Sequence, residues 1–415
     1  MKNKKNSAFV VICEAIRSVH LDENNELNIH DIQPLLHFFQ GVEDFRQQGK
    51  IVFPLPNILL MTMLAIIKLK NNSFLDIASY IYIERKWFRD LGLLSDERCP
   101  SHDTIRRVFM YLDAEALRTA TILRLHDFLK SLQAHVKTQN KYSHHSLDGK
   151  ENCGTGVSEN ARNPKPNIAH LNVYDNTLKT CIQSIPIDCK TNEIPIAQAL
   201  LQTMHLKKCI ITADALHTQK QTCDIIAKRR GFYVFPVKQN HKLLVEEIKT
   251  RMLSKADKLT HISTDTRDFA FYELPKNYAT DGFTGMNLFV MMTSRVRKKA
   301  ITLPFITNLK DKEAVIEVIE QRWEIENNLH KQKDSFLNED GFQCSNPNAA
   351  LAMTLMNNLA LVIIELFHAI SGHKTLSHSK IYVNQHPIEA FNSLLAVMDA
   401  DEIIEKIKMH IKKAK

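Results

Sequence analysis

Three acidic residues stand where chemistry is usually built. Asp148 follows the short run Ser146-Leu147 and precedes Gly149, Asp214 ends the apolar run that starts at Cys209, and Glu326 lies in RWEIENNLHKQKD (Arg322 to Asp334). Open α/β sheets place their sites beyond the carboxyl ends of strands, so Asp148 and Asp214 on adjacent strands could come within reach of one metal. Hard divalent cations want oxygen ligands, and Mg²⁺ takes only one or two carboxylates per ion and keeps its waters. Two such ions about 3.5–4 Å apart activate a nucleophilic water and stabilise a leaving oxygen in phosphoryl transfer. The competing reading of a strand-end Asp is a helix cap or a solvated turn.

On a helix, Arg322, Glu326, Leu329, His330 and Lys333 fall on one face, and Val315, Val318, Ile325 and Leu329 form a neighbouring apolar stripe. A carboxylate flanked by Arg, His and Lys suits a site that holds both a metal and phosphate oxygens. A row of i,i+4 ion pairs on a wet face explains the same spacing. Arg295, Arg297, Lys298 and Lys299 make a loop cluster able to neutralise phosphates, or simply a solvated run. Lys228, Arg229, Arg230, Lys238 and Lys242 interleave with Phe232, Tyr233 and Phe235, whose side chains suit a buried strand. The adjacent His144 and His145 point to opposite faces of a strand, which argues against both ligating one ion.

These residues need positioning elements, and the sequence supplies them. Up to about residue 135 the pattern is helical, with Ser101 or Asp103 capping a helix whose buried stripe is Ile105, Val108, Phe109 and Leu112. After the polar stretch Lys137 to Ser146, Leu171 to Ile187 reads as a hairpin turning at Asp175-Asn176. A helix (Thr191 to Met204), a strand (Cys209 to Ala215), a helix ending near Gly231 and a strand (Phe232 to Lys238) follow. That order argues for an α/β core with parallel pairing. Residues from about 245 to 312 mix strands and turns, and a long helix begins near Glu313.

Composition sets the outer bounds. At 415 residues the chain expects two or three packing units. With 44% hydrophobic and 24% charged residues and only 11 Gly and 13 Pro, it is neither disordered nor collagenous. A net charge of +8 permits an anionic partner without demanding one. The eight cysteines form no C-x-x-C pair and read as reduced thiols of the cytosol. Glu14 and Arg17 interrupt the N-terminal apolar run, which is a poor signal peptide. Leu55 to Ile67 is too short to span a membrane, and Leu351 to Ile370, with Asn357, Asn358 and Glu365, reads as a buried helix. No P-loop spacing precedes Lys50 or Lys150. The expectation is a soluble intracellular protein, cytoplasmic and with no membrane partner.

Taken together the motifs resemble the DDE transposases of bacterial insertion sequences, in the ISAs-type branch that includes the H-repeat-associated proteins. FFQGVEDFRQQGK (Phe38 to Lys50) and PSHDTIRRVF (Pro100 to Phe109) are similar to that branch's N-terminal region. LDGK (Leu147 to Lys150), KTNEIP (Lys190 to Pro195), TADALHTQK (Thr212 to Lys220), VKQN (Val237 to Asn240), RWEIENNLH and NED (Asn338 to Asp340) are similar to its catalytic region.

The resemblance implies an α/β fold with a ribonuclease-H-like catalytic core and an inserted β-rich subdomain, after an N-terminal helical domain and before C-terminal helices. The boundaries expected are 1–136 for the associated domain and 137–415 for the catalytic domain, with the insertion at about 245–312 and the closing helices at 346–415. Asp148, Asp214 and Glu326 match the catalytic, metal-holding acids, for two Mg²⁺ ions or Mn²⁺ in their place. Arg322 and Lys333 match the signature's basic positions, and with His330, Arg295, Arg297 and Lys298 they are the expected DNA and phosphate contacts. The implied partners are the element's terminal inverted repeats and target DNA, held by a homodimer on paired ends. Ile319 where the signature has tyrosine, Lys331 where the branch has tryptophan, Glu151 to Cys153, and HISTDTRDF near residue 262 depart from the pattern. Those departures leave open a recombination-inactive DNA-binding relative or a nuclease without strand transfer.

Overall fold

Apolar residues on every side of Leu55–Lys68 force that helix inside, and Ile58 through Ile67 are buried all round. The computed structural model describes residues 36, 39–69, 73–135, 141–156, 165–187, 193–295, 301–322, 325–386 and 389–390. Helix Phe74–Ile83 starts on a capping box between Ser73 and Asp76, and helix His102–Tyr111 on Ser101, whose side chain accepts from the Thr104 N–H. Asp103, the other cap expected from sequence, instead pairs with Arg106 and Arg107 on the exposed face. Ile105, Val108, Phe109 and Leu112 are buried as their spacing predicts.

These front helices share one core with the back of the chain. Ile66, Ile81 and Phe109 belong to the same apolar cluster as Ile325, Leu329 and Met356. Helix Pro347–Ser371 runs through it. Its stretch Pro347–His368 is long and apolar enough to cross a membrane, but most of it is buried inside the protein. Asn348 caps the front helix by donating to the carbonyls of Phe109, Met110 and Leu112.

The strands are β1 Ser143–Asn152, β2 Ile168–Asp175, β3 Thr180–Ile187, β4 Cys209–Thr212, β5 Phe232–Pro236, β6 Thr260–Ser263, β7 Arg267–Glu273, β8 Ala279–Thr280, β9 Phe283–Thr284, β10 Leu288–Ser294 and β11 Ile301–Thr307. Nine of them form one sheet in the order β3-β2-β1-β4-β5-β11-β10-β7-β6, with β8 and β9 pairing separately. The expected hairpin is β2–β3, and the expected parallel pairing holds for β1–β4 and β4–β5. Every other junction is antiparallel, so the sheet is mixed. The strands of the 245–312 region do not stand apart: β11 pairs directly with β5 and extends the sheet.

Helix Lys312–Gln321 explains that extension. On one side Lys141 reaches Asp311, and Gln321 lies 3.2 Å from His144; on the other, Lys312 reaches Thr260 and Glu273, and Thr264 donates to Glu320. The sheet therefore curls round the helix, whose Val315, Val318 and Ile319 pack against Val234, Phe271 and Phe305. The opposite face is covered by helices Glu193–Thr203, Lys220–Lys228 and Lys242–Ser254, through Leu200, Ile226 and Ile248.

The helix expected from about Glu313 begins at Lys312 and is not α-helical throughout. After Gln321 the chain makes a π-helical turn, Ile325–His330, then helix Lys331–Leu337, which stops at Asn338 in the left-handed region, φ 51°. Widening by one residue per turn is a local hydrogen-bond shift that no apolar periodicity records. Helices Pro347–Ser371 and Leu376–Gln385 follow, and residues 391–415 lie outside the described ones.

Candidate active site

The mixed sheet brings two of the three acids to one end. β4 pairs with β1 only as far as Ser146↔Thr212, so Asp148 emerges where that parallel pairing stops, opposite Asn172 of β2. Asp214 lies just past the end of β4 and also caps a short turn, its Oδ1 accepting from the Leu216 N–H at 2.8 Å. Glu326 arrives from the π-turn. Ligand atoms of Asp148, Glu326 and His330 all lie within 4.8 Å of one another. His330 Nδ1 is 3.5 Å from Asp148 Oδ2 and 3.8 Å from Glu326 Oε2. Asp214 is outside that close trio but near enough for its charge to act on Asp148 and Arg322.

The electrostatics of the pair are uneven. Burial, then the hydrogen bond and charge of Glu326, then Asp214 and Glu193, push the Asp148 carboxyl up to about 8. Glu326 falls to about 2, chiefly through His330, whose Nδ1 stands 3.8 Å from Oε2. Two carboxylates facing each other this closely disfavour double ionisation, and the more buried Asp148 is the one whose protonated form is favoured. A divalent cation in the proton's place would relieve the same repulsion with the oxygen donors such ions prefer, so the residues present fit a hard metal.

His330 is buried beside these acids, which corrects its expected role as a DNA contact. Its Nε2 lies 3.2 Å from Asn172 Nδ2, whose Oδ1 accepts from Ser184 at 2.6 Å, and Asn358 donates to Ser184 at 3.0 Å. With Nε2 accepting from the amide, Nδ1 carries the proton and donates toward Asp148 and Glu326. Burial lowers the pKa of His330.

Lys333 is likewise no phosphate contact. It is 0% exposed, with Nζ 2.9 Å from Glu339 Oε1. A second buried lysine, Lys150, stands 2.9 Å from both Asp334 and Asp340 and 3.5 Å from Glu339. Burial alone would raise the Glu339 carboxyl, yet Lys333 and Lys150 hold it down at about 2. This clamp ties β1, two residues beyond Asp148, to the helix that follows Glu326. A lysine reads as surface in a sequence, and only its carboxylate partners allow it inside.

Arg322 is half-buried beside Asp214 and Asp148, and burial lowers its pKa. Arg295 is on the surface, paired with Asp268 at 3.5 Å and donating to the Thr264 carbonyl. Arg297 and Lys298 lie outside the described residues. Tyr233 and Phe235 are core residues. His144 turns to Thr212 at 2.8 Å and His145 to Asp175 at 3.3 Å, so they serve different partners. Sequence reasoning missed Glu193, His217 and Lys150; each sits in a quoted motif (KTNEIP, TADALHTQK, LDGK), but none had a partner assigned by spacing.

A family model described as Transposase DDE domain matches residues 143–363, and one described as DDE_Tnp_1-associated matches residues 36–123. Escherichia coli O157:H7 YncI is 26% identical over 380 residues, spanning 86% of this chain and 94% of its own. Escherichia coli K12 YhhI is 23% identical over 80% of this chain and 91% of its own. Both carry the word transposase in their names, the second as H repeat-associated. A solved piggyBac transposase synaptic complex with hairpin DNA aligns over 97% of this chain and 82% of that one, at 14% identity and a TM-score of 0.40, too low to carry an argument.

Proposed function

Since the chain belongs to the DDE transposase family, we propose that Asp148, Asp214 and Glu326 are the carboxylates with which this DNA transposase holds its divalent metals. The class cuts and joins DNA with such metals. The observation that carries the assignment is the convergence of Asp148, Glu326 and His330, whose ligand atoms all lie within 4.8 Å of one another at the strand end beside Asp214. Mg²⁺, as two ions, would be held by Asp148 and Asp214, with Glu326 completing one site. Bound there, the metal supplies Lewis-acid charge for in-line phosphoryl transfer.

The chain's own groups do the rest. His330 keeps Glu326 ionised and aimed. Arg322, beside Asp148 and Asp214, offers a guanidinium fork to the phosphate oxygens of the scissile strand. Arg295 and its loop would track the flanking backbone. Strands β3-β2-β1-β4-β5 form the ribonuclease-H-like core, β6 to β11 its insertion, residues 1–136 the associated unit and 137–415 the catalytic one. The DNA partners are the element's terminal repeats and its target, bound by a homodimer in the bacterial cytoplasm. Ile319, the departure from the family tyrosine, is buried between its helix and the sheet.

The test is Glu326→Gln with DNA-end binding and strand cleavage measured separately. Cleavage should fall at least about a hundredfold, since even an outer partner of a metal ligand is worth that much, while binding persists. Undiminished cleavage removes Glu326 from the mechanism. On the wild-type protein with terminal-repeat DNA and Mg²⁺, joined products mark a transposase, cleavage without joining a nuclease, and intact bound DNA a recombination-inactive relative.

A further inference from the structure

A fourth carboxylate stands at the edge of the centre. Glu193 opens helix Glu193–Thr203, with Oε1 2.8 Å from His217 Nε2. Its other oxygen, Oε2, lies over Gly149, 2.8 Å from where a Cβ on that residue would stand. A Cβ there would push the carboxylate aside, and Gly149 directly follows Asp148. His217 is 1% exposed and comes three residues after Asp214, in the same short turn. One side chain thus spans from the strand that carries Asp148 to the loop that carries Asp214.

The far side of that loop is already held. Thr218 donates to the Pro236 carbonyl of β5 at 2.7 Å, and Asn240 donates to the Ala215 carbonyl at 2.8 Å. On the β1 side, the corresponding side-chain tie is the Glu193–His217 contact. A carboxylate with one oxygen on a buried imidazole and the other wedged against a backbone has little rotational freedom, which is what a fixed spacer needs.

We propose that Glu193 is a positioning residue of the catalytic centre: with His217 it pins the Asp214 loop to the Asp148 strand, so that both carboxylates face the same cation. This rests on the reading that Asp148, Asp214 and Glu326 hold the metal. Glu193 acts through His217 and Gly149 and need not touch the substrate.

The experiment uses the full chain and Mn²⁺ as probe, with binding followed by electron paramagnetic resonance and cleavage followed on terminal-repeat DNA. Glu193→Ala should weaken Mn²⁺ binding and metal-saturated cleavage by about ten- to a hundredfold, with DNA-end binding unchanged. Glu193→Gln keeps an oxygen that accepts from His217, and should restore binding to within about threefold of wild type. His217→Leu, which has no donor, should reproduce the Glu193→Ala loss, and the double variant should be no worse than either single one, because both break the same tie. His217→Leu also serves if Glu193→Ala does not fold. Mn²⁺ affinity within twofold of wild type in folded Glu193→Ala or His217→Leu, or Glu193→Gln as weak as alanine, overturns the proposal. Asp214→Asn separates the two levels: normal cleavage there defeats the reading of the centre, whereas a dead Asp214→Asn beside an unaffected Glu193→Ala defeats this inference alone.

Discussion

Metal binding should expel a proton. With the Asp148 carboxyl held up at about 8 and Glu326 down at about 2, the pair carries one proton below pH 8. At pH 7 roughly nine molecules in ten are in that form. A cation that needs both carboxylates ionised must displace it, so binding at pH 7 should release about 0.9 proton per site. Below pH 8 the apparent affinity should fall about tenfold per pH unit, about a hundredfold between pH 9 and pH 6, or ~3 kcal/mol. The direction is fixed by the sign of the shift. An acid whose folded-state pKa is raised favours the protonated form, so metal affinity grows as pH rises through 8 and then levels. Calorimetry of Mg²⁺ binding in two buffers of different ionisation enthalpy counts the protons directly. Asp148→Asn should bind weakly and release none. Affinity that stays flat from pH 6 to 9 with no proton released would refute the shared-proton account of the site.

Three further perturbations separate clamp, latch and surface. Lys333→Met leaves Glu339 buried with only Lys150 to balance it, and should cost ~3–5 kcal/mol in urea unfolding while the salt dependence of DNA binding stays unchanged. A phosphate contact would give the reverse pattern. Arg295→Ala should change stability by less than about 0.5 kcal/mol and lower the salt slope of DNA binding by ~1. Asp175 lies 3.0 Å from His126 of the front helices and 3.3 Å from His145 of β1, and Asp175→Asn should cost ~3–5 kcal/mol. Burial would raise Asp175, but His145 and His126 hold it well below the carboxylate range; burial would lower His145, but Cys209 and Asp175 raise it to about 10. The wild-type advantage in denaturant should therefore be largest between about pH 4 and 6.5, lost on acidification below that window and lost again as pH climbs through about 10.

Local chemistry was legible and partnership was not. Ser101 announced its helix because a cap needs one hydroxyl and its next turn, and the β2–β3 hairpin was visible in its alternation and turn. Asp148, Asp214 and Glu326 could be singled out by strand ends and helix position. The π-turn at Ile325–His330 escaped because a one-residue slip in hydrogen bonding leaves the apolar stripe nearly intact: Ile325 and Leu329 are buried either way. The extension of the sheet past β5 escaped for a different reason. Antiparallel strands can close a local hairpin or continue a larger sheet, and helix Lys312–Gln321, which the strands wrap, lies after them in the chain. Lys333 and His330 could be placed on the helix face of Glu326, but only Glu339 and Asn172, from other elements, show how deeply they are buried.

The four residues of LDGK show how a strand can serve both faces at once. Side chains alternate along β1, so Leu147 and Gly149 face the helices Glu193–Thr203 and Lys220–Lys228, while Asp148 and Lys150 face the Glu326 segment. Leu147 joins the apolar core on the first side. Gly149, on that same side, leaves the space that Glu193 fills. On the other side Asp148 meets Glu326 and His330, and Lys150 reaches Asp334, Glu339 and Asp340. A one-residue slip of β1 would put the carboxylate into the apolar core and the leucine against the acids, so the core fixes the register of the site. The same alternation makes Lys150, rather than any residue beside it, the group able to fasten the downstream helix at the height of Asp148. A motif weak as a signature is thus strongly constrained as geometry, because each of its positions is answerable to a different neighbour.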